Sequence, residues 1–268
     1  VRLVPGPEVM ELLTLARTLA SDAADLLRAG LDHVHRVETK TSVTDMVTES
    51  DRASERLLVE GIRAARPDDA ILGEEGTAKT GTSGVRWVLD PLDGTTNFLY
   101  GLPAFAVSIA VEVDGVTEVG VVVDAARRET FTATRGGGAH LDGRSLACTG
   151  CNDLGTALLG TGFSYDATRR AQQGAVLARV LPVVRDIRRV GAAAIDLCWV
   201  AAGRLDAFAE QGLAPWDLGA GALIAAEAGA TVGDLDGGAP SGAFTLAAAP
   251  AIFDSLRALL RTAGAVTP

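Results

Sequence analysis

Between residues 85 and 124 three apolar runs follow one another, and they leave little choice but a sheet. Val85 to Asp90 is short, Ala104 to Val113 is longer, and Thr117 to Asp124 comes after Asp114-Gly115. An Asp-Gly pair between two apolar runs is a strong signal for a tight hairpin turn, so an antiparallel sheet is expected here. Arg127 to Arg135 reads as a further strand, and Asp142-Gly143 as a second hairpin. Two amphipathic helices precede this block. Residues 8–29 carry Leu12, Leu15, Leu19, Ala23 and Leu26 at helical spacing, with Gly30 as the stop. Residues 51–66 repeat the pattern with Leu57, Leu58, Ile62 and Ala65 and end before Pro67.

Past residue 153 the character changes. Helices are expected at 168–181, 191–202, 218–229 and 251–262, with strands at 157–161, 184–188, 205–209, 230–234 and 244–249. The chain therefore divides into an N-terminal α+β half, residues 1–152, with two helices on a mostly antiparallel sheet, and a C-terminal α/β half, residues 153–268. The Gly-, Ser- and Thr-rich stretch Thr77 to Gly84 reads as a mobile loop. Much of the apolar content is alanine, which favours close helix packing over a bulky aromatic core.

A formal net charge of −10 argues against a protein held to nucleic acid by its own basic surface, since phosphate backbones demand Lys and Arg. Runs of about 18 or more apolar residues are missing, so no membrane span is expected. A leader peptide is not visible either. Three cysteines, Cys148, Cys151 and Cys198, fit a reducing cytoplasm. The first two form a C-x-x-C without a second pair, which reads as two small residues after a hairpin sooner than as a redox or zinc site.

The chemistry is concentrated in acids. Asp90-Pro91-Leu92-Asp93-Gly94-Thr95-Thr96-Asn97 follows the apolar strand, so Asp90 is expected at its end, and Pro91 is expected to forbid ladder pairing through its nitrogen and to fix a turn. Two carboxylates three residues apart, with the Leu92 carbonyl between them, form the oxygen set that a hard cation such as Mg²⁺ prefers. Gly94 permits close backbone approach, and Thr95-Thr96 open a turn with free N–H groups. The same residues are also ordinary turn chemistry. Glu74 and Glu75 stand side by side after Ile71-Leu72, awkward without a counter-charge. Asp217 precedes a small-residue helix and could simply cap it, and Thr48 with Asp51 matches a capping box. Three acidic clusters at strand ends and helix starts make a metal site plausible, and if the substrate carries a phosphate, bound cations would let an acidic protein receive it.

These residues, in this order, resemble the inositol monophosphatase family of magnesium-dependent, lithium-sensitive phosphatases, in its bacterial form. The resemblance covers nearly the whole chain. It rests on Lys40 with Thr44-Asp45 and Asp51, Gly73-Glu74-Glu75, the stretch Trp87 to Phe98, Gly191-Ala192-Ala193, and Trp216-Asp217 with Glu227-Ala228-Gly229. It implies a layered αβαβα sandwich, as in that family and the fructose-1,6-bisphosphatases, and a homodimer. It also implies roles. Glu74, Asp90, the Leu92 carbonyl and Thr95 would hold one Mg²⁺, and Asp90, Asp93 and Asp217 a second, with a third near Glu74. Asp51 would polarise Thr95, and Glu74 with that pair would activate the attacking water. Gly94 and Thr95 would cradle the phosphate, Ala193 and Glu210 would face the polyol ring, and Lys40, Asp45 and Glu75 would support the site.

The implied reaction is direct in-line hydrolysis of a small phosphate monoester, first of all myo-inositol monophosphate. Relatives act on histidinol phosphate, fructose 1,6-bisphosphate or nucleotide 2′- or 3′-phosphates, and some bacterial ones serve as regulatory partners of transcription or RNA processing. Three features depart from the family pattern. Gly219 replaces Ala or Cys, residues 162–170 align poorly with the substrate-side loop, and Arg188 and Arg189 before Gly191 offer a basic contact to substrate or to a second subunit.

Overall fold

The computed structural model describes residues 6–31, 37–39 and 46–266. Lys40, Thr44 and Asp45 lie outside the described residues. Helix α1 (Pro7–Gly30) opens on a proline, whose missing N–H costs nothing in a first turn. Strands β1 (Val37–Thr39) and β2 (Met46–Thr48) pair antiparallel and lead into α2 (Glu49–Ala65). Then follow β3 (Ala70–Gly73), β4 (Ala78–Lys79), β5 (Val85–Asp93), the single-turn helix α3 (Thr95–Leu99), β6 (Ala106–Val113), β7 (Val116–Asp124), β8 (Glu129–Thr134), β9 (Gly138–Leu141) and β10 (Arg144–Ser145). The strands from β3 onward form one sheet in the order β10-β9-β8-β7-β6-β5-β3-β4. It is antiparallel throughout except where β3 meets β5.

The second sheet comes from later residues. Its strands are β11 (Leu158–Thr161), β12 (Asp186–Arg188), β13 (Ala207–Glu210), β14 (Thr231–Gly233) and β15 (Thr245–Ala248), in the order β12-β11-β13-β15-β14. Helices α4 (Ala167–Val180), α5 (Ala193–Ala201), α6 (Pro215–Glu227) and α7 (Pro250–Ala263) alternate with them.

Strand alternation builds the layers, because successive side chains point to opposite faces. On β5, Trp87 and Leu89 pack with Leu12, Ala20 and Leu58 of α1 and α2, whereas Val88 faces the other way, toward Ala194 and Ile195 of α5 and Ile224 of α6. In the second sheet Phe208 and Ala247 meet Leu197 and Ala225 on the opposite flank of α5 and α6. Ala207, Ala209, Leu246 and Ala248 turn outward to Val180 of α4 and Leu256 of α7. The order is α1/α2, sheet, α5/α6, sheet, α4/α7, the expected αβαβα sandwich.

Small residues set the spacing of the central layer. A methyl added at Gly120 would lie 2.7 Å from the Ala220 carbonyl oxygen, and one at Gly221 2.8 Å from Leu197. At Gly219 it would come within 3.0 Å of the Ala110 Cβ. The departure at 219 therefore sits at a close helix–sheet approach, where the missing methyl relieves crowding that offsets the helix-propensity cost.

Both Asp-Gly hairpins form, with φ of 50° and 80° at Asp114-Gly115 and 49° and 79° at Asp142-Gly143. Two local readings need correction. Thr77 to Gly84 is tied down: β4 pairs with β3, Thr82 N–H donates to the Asp68 carbonyl, and the Ser83 hydroxyl donates to Asp69. Pro91 does not end β5 either. The strand resumes pairing at Asp93, after a bulge. Cys148, Cys151 and Cys198 are all free thiols, and burial pushes Cys148 above the ordinary thiol range, away from thiolate reactivity. No helix among the described residues is long and apolar enough to cross a membrane.

Candidate active site at the end of β5

In a regular strand Asp90 and Asp93, three apart, would point to opposite faces. The register shows how this is avoided. Asp90 stands opposite Ser108 and Asp93 opposite Ala106, so three steps on β5 match two on β6. The extra residue is a β-bulge at Pro91-Leu92, and it returns both carboxylates to the face that carries α5 and α6. Both are buried, with 1% and 7% of their surface exposed.

Each carboxylate is steadied by the backbone. Asp90 Oδ1 accepts from Leu92 N–H (3.0 Å), and Asp93 Oδ2 accepts from Ala194 N–H in the first turn of α5 (2.8 Å). Asp217 Oδ2 accepts from Ala214 N–H (2.6 Å), so the acid does cap α6 while also lining the cleft. Gly94, at φ 90°, lies against the Ala104 carbonyl and Ala192, where a side chain has no room. It leads directly into α3.

Helix α2 braces the site with one face. Asp51 Oδ1 accepts the Thr95 hydroxyl at 3.0 Å, and the Leu92 carbonyl lies 3.2 Å from that same hydroxyl. One turn on, buried Ser54 donates to the Pro91 carbonyl (2.8 Å). Buried Glu55 accepts from the N–H groups of Glu75 (2.8 Å) and Thr77 (3.2 Å) and from the Thr77 hydroxyl (2.6 Å). That clamp fixes the turn carrying Glu74, whose carboxylate reaches hydrogen-bonding contact with Asp90.

One cleft of about 550 Å³ is lined by Glu74, Asp90, Leu92, Asp93, Gly94 and Thr95 from the first sheet and by Ala193, Glu210 and Asp217 from the second half of the chain. Asp51 and Glu75 are not among the residues that line it; Asp51 reaches it through Thr95. Burial, then the charges of Glu74, Asp93 and Asp217, push the Asp90 carboxyl well above the usual range. Burial and Asp217 do the same to Asp93, against the opposing Ala194 hydrogen bond. Glu210 is pushed up to about 8 by burial and Asp217, with Arg189 pulling the other way. Asp196 on α5 is 1% exposed and is raised by burial and by Glu210 and Asp93.

Carboxylates so crowded, acting on one another more than any cation acts on them, form a set that a divalent cation would relieve. The donors are all hard oxygens, which fits Mg²⁺. Among the described residues no three of these side chains already converge on a single point.

Four participants were not singled out from the sequence. Ser54 and Glu55 lie three and four residues after Asp51, so the helical period of α2 carried a signal for them. Asn97 belongs to the recognised motif. Its buried amide donates to the carbonyls of Ala104 (2.7 Å) and Val190 (2.9 Å) and so pins the Arg189–Gly191 turn beside Gly94. Asp196 had no local signal.

The family profile described as "Inositol monophosphatase family" matches residues 8–265. The inositol-1-monophosphatase SuhB of Mycobacterium tuberculosis is 47% identical over 98% of each chain. The Nus factor SuhB of Pasteurella multocida is 45% identical over 85% of this chain and 86% of its own. Among solved structures, the extragenic suppressor protein suhB of Bartonella henselae superposes with a TM-score of 0.89 at 34% identity, covering 94% of this chain and 98% of that one.

Proposed function

Because the chain belongs to the inositol monophosphatase family, we propose that it is a Mg²⁺-dependent phosphatase of small phosphate monoesters, with an inositol monophosphate as the first candidate substrate. One observation carries the reading: Glu74, Asp90, Asp93 and Asp217, from three separate stretches of sequence, line a single cleft in which their charges oppose one another. In this reading Glu74, Asp90, the Leu92 carbonyl, Asp93, Thr95 and Asp217 hold two or three Mg²⁺ ions. When bound, Mg²⁺ supplies positive charge to a phosphate and makes water more acidic.

The chain's own residues do the rest. Asp51 takes the Thr95 proton in a 3.0 Å hydrogen bond, which leaves the hydroxyl's lone pairs for the cleft. Glu74, held by the Glu55 clamp, is the base placed to accept a proton from attacking water. The backbone N–H groups of Gly94 and Thr95 precede or open a helical turn and can receive phosphate oxygens. Glu210 and Ala193 border the space left for the alcohol, where a carboxylate can accept polyol hydroxyls.

The test is phosphate release from inositol 1-phosphate, histidinol phosphate, fructose 1,6-bisphosphate and a nucleotide 3′-phosphate, each with and without Mg²⁺. Release from the inositol ester only when Mg²⁺ is present is expected. Metal-independent release, or none from any ester, counts against the reading.

A second role is favoured by the name "Nus factor" on a relative 45% identical. A regulatory contact with the transcription machinery would use the outer surface and would survive loss of catalysis. A variant without turnover that still complements a deletion of the gene would establish it.

A further inference from the structure

The acids proposed to share an ion stand on separate elements. Asp90 and Asp93 belong to β5, and Asp217 belongs to the first turn of α6, far later in the chain. Mg²⁺ accepts little departure from its octahedral geometry, so their oxygens must be narrowly placed. That requires α6 to be fixed on the first sheet along its own axis as well as above it.

The apolar contacts beneath α6 are poorly suited to fixing it lengthwise. Ala110 on β6 lies under Gly219, and Gly120 on β7 lies under Ala220. Side chains this small offer no ridge for a groove to catch, so they set the height of the helix more than its axial position. Gly219, which departs from the family pattern, smooths that surface further.

Ser108 interrupts the run of small apolar residues. It lies between Ala106 and Ala110 on the α5/α6 face of β6, opposite Asp90 on one side and Val122 on the other, and is fully buried. Its hydroxyl donates to the Trp216 carbonyl at 3.2 Å. Trp216 stands in the first turn of α6, next to Asp217, and lines the cleft. A carbonyl there has two lone pairs, so it can accept this hydroxyl besides the helix's own N–H donor. Apolar contact has no direction, whereas a hydrogen bond depends on both distance and angle.

We propose that Ser108 is a positioning residue of the candidate metal site. Its hydroxyl pins the start of α6 over the β5–β6 pair and so sets the separation of Asp217 from Asp90 and Asp93. Ser108 does not line the cleft and acts through Trp216 and Asp217. This inference rests on the metal-dependent phosphatase reading and deepens it.

The experiment compares wild type with Ser108→Ala, Ser108→Cys and Ile252→Val. The first removes the hydroxyl with little change of volume, and the second keeps a weak donor. The third trims a buried residue of the outer α4/α7 layer and is the control for a general loss of stability. Mg²⁺ is titrated calorimetrically into metal-free protein without substrate. Ser108→Ala should weaken Mg²⁺ binding by about three- to tenfold, as loss of one hydrogen bond does, while Ile252→Val stays within about twofold of wild type. Ser108→Cys should fall between Ser108→Ala and wild type. Half-maximal phosphate release from inositol 1-phosphate by Ser108→Ala should need more Mg²⁺ by the same factor. Excess Mg²⁺ should restore its kcat, with KM for the ester within about twofold of wild type.

Unchanged Mg²⁺ affinity in Ser108→Ala, an equal loss in Ile252→Val, or a kcat deficit that excess Mg²⁺ does not restore would overturn the positioning role. A lower metal-free Tm with wild-type Mg²⁺ affinity would do the same, since it marks a hydroxyl that serves only the fold. If wild type itself takes up no Mg²⁺ and releases no phosphate, the phosphatase reading has failed, and the positioning role falls with it.

Discussion

Asp93 is the residue on which the candidate chemistry turns, because it links the bulged end of β5 to the first turn of α5 through Ala194. Asp93→Asn keeps an oxygen for that amide and removes the charge. It should leave Tm almost unchanged, weaken Mg²⁺ dependence of activity, and cost turnover by about 10²-fold or more, as loss of one charge-stabilising group does elsewhere. Phosphate release across a Mg²⁺ titration checks this, and full activity at limiting Mg²⁺ would remove Asp93 from the site. A pH effect belongs to the same scale. Glu210 holds its proton to about 8 in the folded chain and loses it near pH 4 to 4.5 when unfolded. A raised folded-state value means the stabilisation is complete below the unfolded value and disappears as pH rises through about 8. Melted in EDTA, the protein should therefore lose Tm between about pH 4.5 and 8, and Glu210→Gln should lose less. Parallel curves for the two proteins would show that Glu210 does not carry the slope. Asp90, Asp93 and Asp217 were legible because their neighbours set them at a strand end or a helix start. Asp196 was not, since an acid inside a small-residue helix is marked only by what packs over it.

At the scale of elements, the hairpins and helices could be read closely from alternation and stop signals, and Asp114-Gly115 forms the turn its chemistry demands. The continuation of β5 through Pro91 could not. A proline removes one ladder donor, but whether the strand ends or bulges depends on the partner strand, and no local signal records Ser108 and Ala106. The Thr77–Gly84 stretch failed for a related reason: its composition is that of a loose loop, while Glu55, Asp68 and Asp69, outside the stretch itself, hold it. Two changes test these elements. Gly120→Ala places a methyl against the α6 backbone and should cost about 1–3 kcal/mol of stability, as overpacking does, read from urea midpoints. An unchanged midpoint would mean that α6 does not sit so close. Glu55→Gln puts an NH₂ where one of two acceptor oxygens served three donors. It should cost about 1–3 kcal/mol and reduce kcat as the Glu74 turn loosens, although Glu55 itself does not line the cleft.

Taken as one body, the molecule interleaves two sheets through a shared pair of helices, and the cleft borrows from both. Glu74, Asp90, Asp93 and Thr95 hang from the first sheet, while Glu210 ends β13 and Asp217 begins α6. Mg²⁺ binding to the folded form alone should raise Tm, by about 2.7 kcal/mol of added stability at a hundred times the dissociation constant, and the rise should be larger at pH 8 than at pH 5, where protons already quiet the acids. Calorimetric melting at the two pH values checks this; an equal rise at both would contradict the electrostatic account. The layered arrangement has a mechanical corollary. If, as proposed, one ion is held by both Asp93 on β5 and Asp217 on α6, it would tie the first sheet to the central helix layer, and any sliding of that sheet past those helices would first have to release it. Occupancy of a few cubic ångströms in the cleft would then be felt as slower amide exchange tens of residues away, in strands that never touch it.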